Sequence, residues 1–192
     1  QFDISKIDFD LLSREFAHTR RKNLLLRDLD ELVNQQLAKM LFANPQRIDY
    51  YDRYQEIIDA YNAEQNRATI EKTFMDLMEL ASSLDTEQQR YVREGFSSDE
   101  ELSVYDLLFS ENLTKQEIET IKKVSVDLLT KIKQQIAKLD HWTDKQETKA
   151  IVDNLIRNTL WQELPNSYDV NDIQTYQKKI YEYVYMRYPE VA

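Results

Sequence analysis

Glu15 and His18 stand three positions apart in a helical stretch. That is the spacing with which one helix of a di-iron bundle offers a carboxylate and an imidazole to a metal pair. The chemistry needs a second Glu-x-x-His and two further carboxylates. The only other histidine, His141, has Lys138 in the matching place, so the template is incomplete and the pair reads as a polar helix face. Glu147, Thr148 and Lys149, with Asp140 or Asp144 upstream, imitate the acidic-x-Lys core of a metal-dependent nuclease. Such a core must converge on Mg²⁺, usually from strands. On a helix, residues two apart point to different sides, so Glu147 and Lys149 diverge. Asp99-Glu100-Glu101 sits where a helix begins, and favourable interaction with the helix dipole accounts for it. Two histidines without an elbow glycine do not suggest a Ser-His-Asp arrangement.

Glycine usage narrows the classes further. Gly95 is the only glycine, whereas phosphate-cradling loops and dinucleotide fingerprints need several, because the backbone must approach the ligand closely. There is no cysteine, which excludes disulfides, thiolate zinc sites and cysteine nucleophiles. No catalytic, cofactor-binding or metal-binding residue is therefore expected in this chain.

Two residue sets remain as binding candidates. Lys122, Lys123, Lys131 and Lys133 lie on one long helix, followed by Lys145 and Lys149, and a lysine face of this kind meets phosphates. The bland reading is a solvated helix face. A net charge of −10 disfavours loose nucleic-acid binding over the whole surface but leaves room for a local basic face. Tyr181, Tyr185 and Tyr188 share one face of the last helix, while Tyr176, Ile180, Tyr183 and Val184 share another. One set belongs to the core; the other, the Tyr181 set, suits a protein interface. Tyrosines packed with their hydroxyls at the rim are the alternative.

The elements that must position these groups are helices. One glycine and three prolines in 192 residues leave too few turn residues for a β-rich fold. Leu25, Leu29, Leu32, Val33, Leu37, Met40 and Leu41 form an apolar stripe that Asn44-Pro45 breaks. A helix follows from about residue 48 to 63, and a third carries Ile70, Phe74, Leu77, Met78 and Ala81. Asp85 or Thr86 is expected to cap a fourth, which Gly95 ends in the left-handed conformation. Ser97 or Ser98 caps the next, with Glu100 or Glu101 completing the box. Thr114 and Glu117 form a clean capping box for the longest helix. Asp140 or Thr143 starts another, carrying Ile151, Leu155, Ile156, Leu160 and Leu164, and Pro165 stops it. Asn171 or Asp172 caps the last. The expected fold is all-α: a linker helix and helical hairpin over residues 1–84, then a compact helical bundle over 85–192, with no sheet.

No apolar run approaches the roughly 20 residues of a membrane span. The start, Gln1 without Met and then Phe2-Asp-Ile-Ser-Lys, is not a signal peptide and suggests a fragment of a longer protein.

Several stretches, in order, resemble the C-terminal helical region of the restriction (motor) subunit of type I restriction–modification enzymes. The first is Asn44-Pro-Gln-Arg-Ile-Asp, leading into a helix that ends at Tyr61-Asn62. The second is Arg90-Tyr-Val-Arg-Glu-Gly-Phe-Ser-Ser-Asp-Glu-Glu-Leu102. The third is Leu113-Thr-Lys through Ile121-Lys-Lys-Val-Ser-Val-Asp-Leu-Leu129. The fourth runs from Trp142 through Lys145, Thr148 and Ala150 to Leu164-Pro165, and the last is Val184-Tyr185. The resemblance covers residues 44–188; residues before Leu24 match less clearly and fit a long helix entering from upstream motor domains. It implies a parent subunit that is an ATP-dependent DNA translocase and site-specific endonuclease, using ATP and Mg²⁺ in upstream domains. It further implies a bacterial or archaeal cytoplasmic setting, partnership with methyltransferase and specificity subunits, and a C-terminal region that helps assembly and contacts duplex DNA. A regulatory helical module outside any restriction enzyme is the alternative.

Overall fold

Asparagine and proline side by side break the chain between two helices. The computed structural model describes residues 7–189, so the reading of Phe2–Lys6 lies outside the described residues. Among these, nine α-helices and no strand are present. Contacts divide the chain into two units, Gln1–Arg93 and Glu94–Ala192, so the division falls after residue 93 rather than after residue 84.

The first unit holds α1 (Phe9–His18), α2 (Lys22–Ala43), α3 (Ile48–Ala63), α4 (Arg67–Gln88) and the single turn α5 (Arg90–Arg93). Residues before Leu24 do not form one long entering helix: α1 ends at His18 and the chain turns before α2. Asn44 ends α2, and its side chain accepts from the Gln46 N–H at 3.1 Å to set the 3-10 turn Pro45–Arg47 that leads into α3. α4 packs against both α2 and α3. The boundary expected after residue 84 is absent: the third helix of the sequence reading runs on through the expected start of the fourth to Gln88, leaving Arg90–Arg93 as a separate turn. Ser83 donates to the Glu79 carbonyl at 2.9 Å and Thr86 to the Ser82 carbonyl at 3.1 Å, so these polar side chains bond back into the helix instead of capping a new one. Leu80, Ala81 and Leu84 meanwhile continue the buried stripe. Each of these leucine side chains taken fully out of water contributes about 1.5–3 kcal/mol. Phe16 of α1 stacks on Phe74 of α4, ring centroids 3.6 Å apart, and Lys22 sits over the same Phe16 ring at 4.7 Å.

A buried ionic knot locks α3 to α4. Glu87 accepts from Arg47 Nε at 3.0 Å and from Arg90 Nε at 2.9 Å, and the Tyr50 hydroxyl donates to it at 3.4 Å. The Arg47 and Glu87 side chains are only 3% and 8% exposed. Burial, then the Glu87 charge, pushes the Tyr50 hydroxyl above its ordinary value.

The second unit holds α6 (Asp99–Leu108), α7 (Lys115–Ile136), α8 (Gln146–Glu163) and α9 (Val170–Arg187). Each helix packs on its successor and α9 returns to α6, which closes a four-helix ring. Gly95 has φ +84°, the left-handed stop expected, although the helix it follows is the single turn α5. Ser98 caps α6, while the Glu101 carboxylate accepts from the Ser97 N–H at 2.8 Å. Thr114 and Glu117 make the full capping box of α7. Hydrogen bonds from Ser167 and then Thr114 hold the Glu117 carboxyl below its ordinary value.

Two helix starts differ from expectation. α8 begins at Gln146, after Lys145, not at Asp140 or Thr143. The chain first dives inward to bury Trp142 completely; its indole N–H donates to the Tyr188 carbonyl at 2.7 Å, and Thr148 donates to the Trp142 carbonyl at 2.7 Å. α9 is capped by Asp169, with Asp172 as the reciprocal partner, because buried Tyr168 anchors the turn earlier and donates to the Leu108 carbonyl at 2.7 Å. No helix among the described residues is long and apolar enough to cross a membrane.

Candidate functional site

Helical arithmetic decides how the lysines of α7 can act together. At about 100° per residue, Lys122 and Lys133 fall within about 20° of each other, whereas Lys131 lies about 180° from Lys122. The buried stripe Ile121, Val124, Ser125, Leu128, Leu129, Ile132 and Ile136 runs between them. The lysines therefore flank the core on both sides instead of forming one face.

Each flanking lysine meets carboxylates of its own unit. Lys122 donates to the Glu94 carbonyl at 3.0 Å and pairs with the Glu94 carboxylate at 3.1 Å, which ties α7 to the backbone just before Gly95. Lys133 pairs with Glu100 of α6 and lies 5.3 Å over the Tyr188 ring. Lys131 pairs with Asp127 at 2.5 Å and with Glu163 of α8 at 2.6 Å, and these bonds push its ammonium above the ordinary lysine value. Lys123 is exposed and points away from the core, and Lys145 is exposed ahead of α8. Lys149 is half-buried, 5.8 Å over the Tyr185 ring. The structure thus does not assemble Lys122, Lys123, Lys131, Lys133, Lys145 and Lys149 into a continuous basic surface.

The tyrosine set divides. Tyr188 is 8% exposed and packs edge-on against Tyr183 at 6.1 Å. Its hydroxyl is pushed well above the ordinary range by burial and then by Tyr183 and Glu100. Tyr188 is a core residue and is not available as a surface contact, because α9 ends there and its carbonyl receives Trp142. Tyr181 and Tyr185 lean edge-on over Trp142 at 6.1 and 5.7 Å and form a partly exposed aromatic cover. Of the companion set, Ile180, Tyr183 and Val184 are buried and Tyr176 is half-buried.

The sequence reading missed the outward face of α8. Ile151, read as part of the apolar stripe, is 42% exposed; Val152 is buried in its place. Trp161 is 49% exposed. Asn154, Leu155, Asn158 and Gln162 fall on the same side at helical spacing, with Glu147 at the start of the face and Arg157, which donates to Asn154 at 2.8 Å, at its edge.

The candidate chemical groups do not converge. Glu15 and His18 are exposed beside a shallow cleft with Thr19 and Arg21, and no group of three or more His, Cys, Asp or Glu among the described residues is placed to hold a metal. Glu147 is exposed at the start of α8, and Lys149 is turned onto Tyr185. Asp99, Glu100 and Glu101 occupy the first turn of α6, as the dipole argument requires.

No curated protein and no solved structure matches the chain. One protein family does, described as type I restriction enzyme HindI endonuclease subunit-like, C-terminal, and it matches residues 1–188. The match extends the resemblance through the N-terminal helices and removes the alternative of a module that only resembles the family. The chain belongs to the family of C-terminal domains of type I restriction enzyme HindI endonuclease subunit-like proteins.

Proposed function

We propose that this chain is a non-catalytic assembly domain of a type I restriction endonuclease subunit, docking that subunit onto its methyltransferase and specificity partners. ATP and Mg²⁺ belong, in this reading, to motor and nuclease domains elsewhere in the parent subunit, which works on DNA in the cytoplasm. The observation that carries the reading is the internal pairing of Lys122, Lys131 and Lys133. The cations that would have read phosphate are engaged in tying α7 to its neighbours. What the second unit offers outward is the α8 face with Ile151 and Trp161, and exposed tryptophan is characteristic of protein contacts.

Direct duplex contact is the weaker reading, since it is left to Lys123, Lys145 and Lys149, which do not share one helix face. Capture experiments separate the two. The immobilised chain is expected to retain a methyltransferase–specificity core and to show little duplex affinity at physiological salt. Strong duplex binding that falls steeply with salt, together with no retention of the core, would reverse the assignment.

A further inference from the structure

The first unit carries an apolar trough between α1 and α2, with a volume of about 670 Å³. Leu25, Leu29 and Leu32 of α2 line its floor at i, i+4 and i+7, and Leu11 and Leu12 of α1 form its wall. Leu11 is 52% exposed. From Leu25 to Gln35 the trough follows α2 for about 15 Å, at 1.5 Å per residue. That length suits several apolar side chains in a row and not one compact ligand. A row at helical spacing is what an amphipathic helix presents to a groove.

The rim has one sign of charge. Asp8 and Glu15 stand on the α1 side, Asp28 and Glu31 on the α2 side, and none of the described residues lining the trough is basic. Arg27 approaches Asp28 at 3.7 Å, but both side chains are more than half exposed, so the pair is screened and weak. The Glu31 carboxylate accepts from Gln35, which leaves its charge uncancelled. Carboxylates along both edges of an apolar floor favour lysine or arginine on both flanks of an incoming apolar stripe, and they repel an acidic one.

We infer that the α1–α2 trough is a docking groove for a basic amphipathic helix of a partner subunit, with leucine-like anchors over Leu25, Leu29 and Leu32 and cations over Glu15 and Glu31. This rests on the assembly reading and adds to it the place and the chemistry of one contact.

The test uses the full chain in three forms: wild type, Leu11→Glu, and Glu15→Lys combined with Glu31→Lys. All three altered side chains are exposed, and far-UV circular dichroism checks that the fold is kept. Each form is titrated with a labelled helical peptide of about 16 residues, leucines at i, i+4 and i+7 and lysines on both flanks. A second peptide replaces those lysines with glutamates. The groove predicts binding of the lysine peptide at least roughly tenfold tighter than the glutamate peptide, and a similar loss in both variants. Equal binding of the two peptides, or unchanged binding by the variants, overturns the inference. The same three forms are then used to capture a methyltransferase–specificity core. Capture by the wild type that both variants weaken supports the groove. Capture unaffected by either variant overturns the groove and leaves the assembly reading standing. No capture even by the wild type overturns both. A wild-type chain that sediments as a dimer and becomes monomeric on Leu11→Glu would show a second copy in the trough, and that too overturns the inference.

Discussion

Replacing Glu87 with Gln is the sharpest perturbation of the fold, because it removes one charge from a knot that holds two others. Glu87 accepts from Arg47 at 3.0 Å and Arg90 at 2.9 Å. Arg47 is 3% exposed, so it cannot turn to water when its counter-charge disappears. Breaking a buried pair from one side costs about 3–5 kcal/mol, and glutamine keeps one acceptor oxygen, which places Glu87→Gln near 3 kcal/mol. The Arg90 contact adds less than about 1 kcal/mol, since that side chain is 28% exposed and screened. For a unit of this size, about 3 kcal/mol lowers the melting temperature by roughly 12–24 °C. Thermal melts followed by far-UV circular dichroism measure it. The control is Arg47→Met with Glu87→Leu, which removes both charges together and is expected to recover most of the loss. If Glu87→Gln melts with the wild type, or the double variant falls as far as the single one, the knot does not bear on stability as argued.

Other perturbations have equally definite signs. Gly95→Ala meets no atom within 4 Å of its new Cβ, so it is expected to cost about 1 kcal/mol from φ +84° alone, read as a small shift in urea midpoint. Glu117 is held below its ordinary value, so its contribution is complete above about pH 4.3 and is lost as pH falls through the depressed folded value. Glu117→Gln should therefore remove part of the acid dependence of the melting temperature, and an unchanged pH profile would contradict the capping geometry. Lys131→Glu sets a third carboxylate against Asp127 and Glu163 and is expected to destabilise by about 1 kcal/mol, less at high salt. A fully stable Lys131→Glu would argue against its role as a tie between α7 and α8. Trp142 is buried and Trp161 half-exposed, so Trp161→Phe should remove most of the acrylamide-quenchable fluorescence.

The all-α fold and several of its punctuation points are legible in the residues. Asn44-Pro45 breaks the chain because proline constrains its predecessor, and Gly95 stops it because only glycine adopts positive φ cheaply. Thr114 and Glu117 announce α7 by reciprocal capping. The misread helix starts come from polar side chains that resemble caps in the sequence but are overridden by the packing around them. Ser83 and Thr86 look like caps but bond backward, and which option wins depends on whether Leu80 and Leu84 stay buried across the segment. Asp140 and Thr143 look like caps for α8, but burial of Trp142 delays the helix, and that is a tertiary event. The lysines were a different kind of miss. Lys131 follows Lys122 by nine positions, which already places them on opposite sides of a helix, so the spacing itself excluded a single face. The acidic trough was not readable, because it exists only once α1 lies against α2.

The residues that announce the family are largely structural. Arg47 of the first matching stretch and Arg90 of the second meet on Glu87, and Gly95 closes the turn before α6. Trp142 of the fourth stretch holds the end of α9 through Tyr188. Their chemistry stabilises a scaffold, and the surfaces proposed for contact lie elsewhere, around Trp161 and Leu11.

The central claim is that this domain joins its subunit to the methyltransferase. The most direct measurement compares the parent endonuclease subunit with and without the segment corresponding to this chain, by co-sedimentation with the methyltransferase–specificity core. The account predicts that the complete subunit sediments with the core and the shortened one does not. Equal assembly by both forms would contradict it.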